Sequence, residues 1–545
     1  MERHIGTWYK ENEKDKIKIG ELIIDNDHIE FYSRFHGIVF PTTFIGDDGK
    51  FSYKIFVDGQ ASIGNNRVIS YTSSHKVLYV LMQNFTFSKG FDIPGITEFS
   101  FIIPELTNWL GMDTVYYSYT EDDTPAAGEY SMPNIIIKSD NPKIEIYFES
   151  SSLYNSFMND DSTEIKISQK PRIRVSYEEP VDIQMISSEI ECLMQFFGLL
   201  IGKVSFVKDI RLTIKDQDFK SWLFINHDYS YNLMTQDILD KPRTYFYIVE
   251  DKIQLYYSNW RNFFNNDDFS LLRRIYFSVN DKKEKFAEEV FVEYMRFLDG
   301  YHARISGDAE TAVSLKEALK GAKKTIKNQI FIDDNRPIFE DAIHKVLPKW
   351  KYNANNVGDI AEWIASGFIA KTQLSHRLRE LDEKHLKIIS NNALNIEKLP
   401  LKDNDYNEKI KAHLKRKHGI TSSEELEEKF NSITEEQKNN ILIEIYYKEL
   451  GDTRNYYSHY KNDKTGLLSF TQLNESINVL KATIISIFLD CIGLEDIGRK
   501  MIAFDSELHF QTKFLIKQNE HCFLTPKAYY KKTAAPEGTA VDTQI

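Results

Sequence analysis

Arg454, Asn455 and His459 lie in the stretch Gly451-Asp452-Thr453-Arg454-Asn455-Tyr456-Tyr457-Ser458-His459-Tyr460, with the histidine five positions after the arginine. Residues of these types at this spacing suit the metal-free cutting of an RNA phosphodiester. A guanidinium stays charged and clamps two phosphate oxygens in a planar fork. An imidazole gives or takes a proton near neutral pH. RNA supplies its own nucleophile, the 2′-hydroxyl, so no reactive Ser or Cys is needed. Tyr456 and Tyr457 either stack on an unpaired base or pack their own helix, which is the plainer reading.

Spacing alone is weak evidence. An Arg followed by a His five to seven positions later occurs also at Arg296/His302 and Arg379/His385. Both of those pairs fall in helical patterns and read as solvated or core-edge pairs. On spacing alone, Arg454 and His459 would likewise only decorate a helix-helix corner, although Arg454 is the one followed by Asn. The surroundings add more. Ile441, Leu442, Ile445, Tyr446 and Leu450 recur at helical spacing over residues 437–450. Gly451 is expected to stop that helix. Asp452 or Thr453 would then cap a fresh turn starting at Arg454, setting a phosphate against the positive end of a helix.

The elements that must carry such a site follow from composition and pattern. A chain of 545 residues, 42% hydrophobic and 27% charged, has room for two or three domains with cores of their own. Cys192, Cys491 and Cys522 are odd in number and lack metal-ligand spacing, which fits a reducing, cytoplasmic setting without a disulfide framework. No signal peptide is expected at Met1-Glu2-Arg3-His4-Ile5-Gly6. No apolar run approaches the roughly 20 residues that span a bilayer, so no membrane partner is expected. The formal net charge of −13 argues mildly against an RNA partner. A nuclease, however, needs one basic cleft rather than a basic surface. The densest basic cluster is Lys411, His413, Lys415, Arg416, Lys417 and His418. It serves either RNA or solvent.

Alternating segments such as Lys16–Ile19, Lys143–Phe148, Glu164–Ile167 and Arg172–Val175 make the first 180 residues strand-like. Turn residues at 46–49, Asp58-Gly59 and 64–66 punctuate them, predicting a mainly antiparallel sandwich or barrel. Ile186, Ile190, Leu193, Phe196, Phe197, Leu200 and Ile201 then predict one buried helix near 186–202. Further strands are expected over 204–257, including 244–248. Beyond a boundary near 260–270 the pattern turns helical. One core stripe runs Phe286, Val290, Phe291, Tyr294, Phe297, Leu298, Tyr301, and another runs from Leu473 to Ile492. The fold class is therefore α+β: a β-rich domain over 1–265, an all-α domain over 270–530, and a flexible tail over 534–545. No P-loop, Gly-rich nucleotide fingerprint or zinc signature occurs, so no cofactor and no metal is expected.

Arg454-Asn455-Tyr456-Tyr457-Ser458-His459, between an amphipathic helix and a long apolar one, resembles the active-site motif of HEPN ribonucleases. The segments 293–304, 373–381, 20–22 and 174–180 extend the likeness. The chain resembles the ApeA family of bacterial abortive-infection proteins, which join a β-rich N-terminal domain to a C-terminal HEPN helical bundle. The family often has Glu where Asp299 stands, so Asp299 receives no catalytic role. The resemblance implies an endoribonuclease with Arg454 and His459 as catalytic residues and Asn455 in support. Lys411, Lys415, Arg416, Lys417, Tyr456 and Tyr457 are candidate RNA contacts. It also implies a homodimer or larger assembly, structured RNA such as tRNA as substrate, and a phage-encoded trigger or inhibitor acting on a sensor domain. Rival readings are a non-catalytic HEPN-type RNA- or protein-binding assembly protein, or a carbohydrate-binding β domain on a helical scaffold.

Overall fold

The computed structural model describes residues 2–306, 325, 337, 374–459 and 467–494, other than 26–28, 36–37, 39, 65–71, 84–94, 113, 120–124, 157–162, 203–206, 216–220, 226–243, 282–285, 386 and 398–402. Gln373, Tyr460, Cys522 and the 534–545 tail fall outside these residues. The architecture is α+β, with an antiparallel sheet followed by helices.

Six strands close a barrel: β1 (Glu2–Lys10), β2 (Glu13–Ile24), β3 (Ile29–Ser33), β4 (Thr42–Asp47), β5 (Ser52–Gly64) and β6 (Thr72–Gln83). The ring runs β6-β3-β2-β1-β4-β5 and returns to β6. Trp8, Phe31, Phe44, Tyr53 and Val80 fill it, each fully buried. Gly46 leaves the room Trp8 needs, because a Cβ there would lie 2.0 Å from the indole. Asp58-Gly59, expected as a turn, is an irregularity inside β5 where the register against β6 shifts. A Gly within a strand often marks such a bulge.

β6 is also the branch point. Residues 73–76 pair with β3, and Tyr79–Gln83 pair with β14 (Ser221–Ile225). From β14 the sheet continues through β13 (Lys208–Ile214), β7 (Ile96–Ile102), β12 (Thr163–Val181) and β11 (Lys143–Ser156) to β10 (Ile135–Lys138). A separate hairpin joins β8 (Val115–Tyr119) to β9 (Pro125–Glu129). α1 (Leu106–Leu110) is short. α2 (Ile183–Ile201) starts two residues beyond the end of β12, where Asp182 accepts from Met185 N and caps it. The predicted stripe of α2 is buried throughout.

Residues 244–248 depart from the strand expectation. Phe246–Val249 forms a helical turn, α3, and Ile253–Phe264 forms α4. Phe246 and Val249 are both buried, three residues apart. Burial at that spacing overrides the aromatic strand preference of the segment. α4 ties α2 to the long C-terminal helix: Trp260 Nε1 donates to Cys192 O at 3.0 Å, and its ring meets Phe488 edge-on at 6.0 Å.

The helical half continues with α5 (Asp267–Asp281), α6 (Ala287–Ile305), α7 (Leu374–Lys384), α8 (Ile388–Glu397), α9 (Asp403–His418), α10 (Ser423–Ser432), α11 (Glu435–His459) and α12 (Phe470–Cys491). α12 is the central staff, with Leu480, Ile484, Ile487 and Phe488 fully buried. α6 packs alongside it through Phe297 and Phe488, 5.3 Å between ring centres. Phe286, expected in the core stripe, is instead the 75% exposed residue before α6. The stripe begins one turn later, because the backbone of Phe286 is extended.

Candidate active site

α11 runs unbroken from Glu435 to His459, through Gly451. The expected helix stop at Gly451 and fresh cap before Arg454 are therefore corrected. A mid-helix Gly costs about 1 kcal/mol against Ala, but Leu450 and Thr453 on either side are fully buried and hold the helix together. Thr453 does not cap a helix. Its Oγ1 accepts from Leu468 N at 3.0 Å and fastens the chain that returns into α12. That return is completed by the Ser469/Gln472 capping box. The motif thus lies in the last two turns of a long helix. The helix dipole there is negative at its end, so attraction for an anion must come from side chains.

Those side chains come from three helices. Arg454 Nη1 donates to Asn455 Oδ1 at 3.1 Å, which orients the guanidinium through a neutral partner. Arg454 Nη2 stands 4.0 Å from Asp299 Oδ2 on α6. On α7, Arg377 Nη1 donates to the other oxygen of the same carboxylate at 2.7 Å. The three side chains keep between 22% and 28% of their surface exposed. The Nε atoms of Arg454 and Arg377 are buried without a hydrogen-bond partner, and so is Ser458 Oγ, one turn after Arg454.

His459 ends α11, and its side chain lies outside the described residues. Five helical residues separate two positions by about 140° of rotation and about 7.5 Å of rise. Tyr456 and Tyr457 meet edge to face at 5.1 Å, and Tyr457 packs against the main core. The two other Arg/His pairs sit at the edge of the core. Buried His302 meets Glu380 at 2.6 Å, and buried His385 meets Asp490 at 2.5 Å.

The family model for the ApeA N-terminal domain 1 matches residues 3–260, and that for the Apea-like HEPN domain matches residues 390–496. The chain is an ApeA-family protein with a C-terminal HEPN domain. No curated protein and no solved structure gives a significant match. The HEPN match contains Arg454, Asn455 and His459, whereas Asp299 and Arg377 lie outside both matched spans. Membership places the chain among HEPN-type abortive-infection proteins.

Within the HEPN domain the basic cluster is held apart from the motif. Lys417 and His413 on α9 reach Glu444 on α11, at 3.3 and 3.4 Å. Lys409, earlier on α9, reaches Glu449, later on α11, so the two helices are antiparallel. The exposed end of α9, with Lys415, Arg416, Lys417 and His418, thus points away from Arg454. Ten helical residues from Glu444 to Arg454 span about 15 Å. Lys411 is paired with Glu427 at 2.5 Å and lies over Phe430.

A second charged group is buried beside α11. Lys409 Nζ lies 2.8 Å from Glu397 on α8 and 3.0 Å from Glu449. Burial, and then the neighbouring Glu397 carboxylate, push the Glu449 carboxyl up to about 8, against the pull of Lys409. Among the described residues, no group of three or more His, Cys, Asp or Glu is placed to hold a metal ion, and no helix is long and apolar enough to cross a membrane.

Neither Asp299 nor Arg377 is legible in the sequence as part of this cluster. Their contact bridges 78 positions, and no local period reports that separation. The one available signal was that both fall in segments that resemble the family, 293–304 and 373–381.

Proposed function

We propose that the HEPN domain is a metal-independent endoribonuclease acting in anti-phage abortive infection, with structured RNA, tRNA in particular, as substrate. The observation that carries this reading is a partly exposed, loosely held Arg454 guanidinium on the same helix as His459, inside the HEPN match. Arg454 binds the scissile phosphate and stabilises the charge that builds on it. His459 moves protons. The 2′-hydroxyl gives up its proton, the bond from O2′ to phosphorus forms, and the bond from phosphorus to O5′ breaks. The departing 5′-oxygen takes a proton. The products end in 2′,3′-cyclic phosphate and 5′-hydroxyl.

Two proton transfers call for two groups. The positions of Arg454 and His459 lie about 140° apart around α11, so one helix does not set them side by side. A homodimer in which two motifs face one cleft supplies both, and a two-fold axis makes the doubling automatic. The β-rich half then serves as the sensor, open to a phage-encoded trigger or inhibitor, and the protein works in the cytoplasm.

The test is cleavage of folded RNA by purified wild type and by His459→Ala, each checked by thermal melting. The proposal expects a fully folded variant without cleavage. A folded variant that cuts at the wild-type rate removes His459 from the mechanism.

A further inference from the structure

We propose that Arg377 is a second phosphate ligand in the same cleft, binding a phosphodiester next to the one held by Arg454. The inference rests on the reading of Arg454 as a phosphate-binding residue. It adds a substrate contact from α7, which lies outside the HEPN match.

One carboxylate serves two guanidiniums. Asp299 takes Nη1 of Arg377 at 2.7 Å and stands 4.0 Å from Nη2 of Arg454. The remaining partner of Arg454 is the neutral amide oxygen of Asn455. The nearest acids on the same helices are engaged elsewhere: Glu293 with Arg296, Glu380 with His302, Asp452 with Lys448. Within the cluster itself, two guanidiniums share one carboxylate.

Its hydrogen bonding is incomplete as well. Each guanidinium carries five donors in a fixed fork, and a single carboxylate cannot saturate two forks. Arg454 Nε, Arg377 Nε and Ser458 Oγ are buried without partners. A group made only of acceptor oxygens and carrying negative charge suits the part of both guanidiniums that faces solvent. Phosphate is such a group, and guanidinium binds it bidentately. Both arginines keep about a quarter of their side-chain surface exposed, so a strand can reach them from solvent. Arg377 is held firmly by Asp299 and offers a fixed docking point, whereas Arg454 is held loosely and is free to engage the reacting phosphate.

The experiment measures equilibrium binding of a single-stranded RNA oligonucleotide to the full-length His459→Ala protein over a range of salt concentrations. Each phosphate contact on a single strand contributes about 0.7 to the slope of log K against log salt. Adding Arg377→Gln should lower that slope by about 0.7. Adding Asp299→Asn instead should leave the slope undiminished, because both arginines remain. The double change Arg377→Gln with Asp299→Asn removes the ion pair whole, leaves no carboxylate unpaired, and should reproduce the loss of slope even if Arg377→Gln alone folds poorly.

An unchanged slope in the Arg377→Gln and double variants overturns the proposal. Equal loss in Arg377→Gln and Asp299→Asn also overturns it, since Arg377 would then only position Arg454. If the His459→Ala parent binds no RNA at any salt, the RNA reading of the whole site falls, and this inference with it.

Discussion

Asp299 and Arg454 face each other across two helices at 4.0 Å, the outer limit of an ion pair, while the same carboxylate holds Arg377 at 2.7 Å. The arginine of the motif is thus oriented but not consumed by its neighbours. Its shape should matter as much as its charge.

Arg454→Lys is expected to lose about 100-fold or more in cleavage rate, comparable to removing one preorganised donor from a transition state. An ammonium is a compact point charge and cannot span two phosphate oxygens or keep the bond to Asn455 in the same geometry. Single-turnover cleavage measures this directly. Near-full activity in the Lys variant would reduce the role of Arg454 to simple charge.

Gly451→Ala tests whether α11 is continuous. A Cβ on Gly451 meets no neighbouring atom within 4 Å. In a helix interior the change should stabilise by up to about 1 kcal/mol. Denaturant unfolding reads the sign. A loss of stability would point to a left-handed helix stop at Gly451.

How much of this was legible in the sequence differs by element. The α2 stripe and the long apolar helix α12 were readable because burial there follows local period, whereas Gly46 and Asp47, expected in a turn, still pair within β4 and the chain reverses just beyond them. A helix stop at Gly451 is what propensity predicts, whereas burial of Leu450 and Thr453 keeps the helix continuous. The strand expected at 244–248 failed similarly, since Phe246 and Val249 face the core at helical spacing. Arg454, Asn455 and His459 could be picked out by type and spacing. Their surroundings could not, because Asp299 reaches Arg454, and Arg377 reaches Asp299, only through the packing of three helices.

Stability should depend on pH through Glu449. Its folded pKa, about 8, lies above the ordinary carboxylate value of 4.5. The folded state therefore holds a proton that the unfolded chain has released, and stability falls as pH rises between those two values. The groups facing it are Glu397 and Lys409, on α8 and α9. Glu449→Gln removes the titration, so its urea midpoint should change less between pH 6 and pH 9 than that of wild type. An identical decline in both proteins would place the pH dependence elsewhere.

Mixing an Arg454→Ala chain with a His459→Ala chain should restore part of the cleavage that each lacks alone, because a shared cleft then retains one arginine and one histidine. Cleavage yield against mixing ratio is the readout. Full activity of wild type at dilutions where it is a monomer would contradict the shared cleft.

The central claim is that an arginine-histidine site cuts RNA without a metal. It is tested most directly by mapping the ends of fragments from a pre-folded RNA, incubated with wild type or His459→Ala in excess EDTA. Wild type should yield 2′,3′-cyclic phosphate and 5′-hydroxyl ends in EDTA, and the variant should yield none. Cleavage that vanishes in EDTA, returns with Mg²⁺ and leaves 5′-phosphate ends would contradict the account.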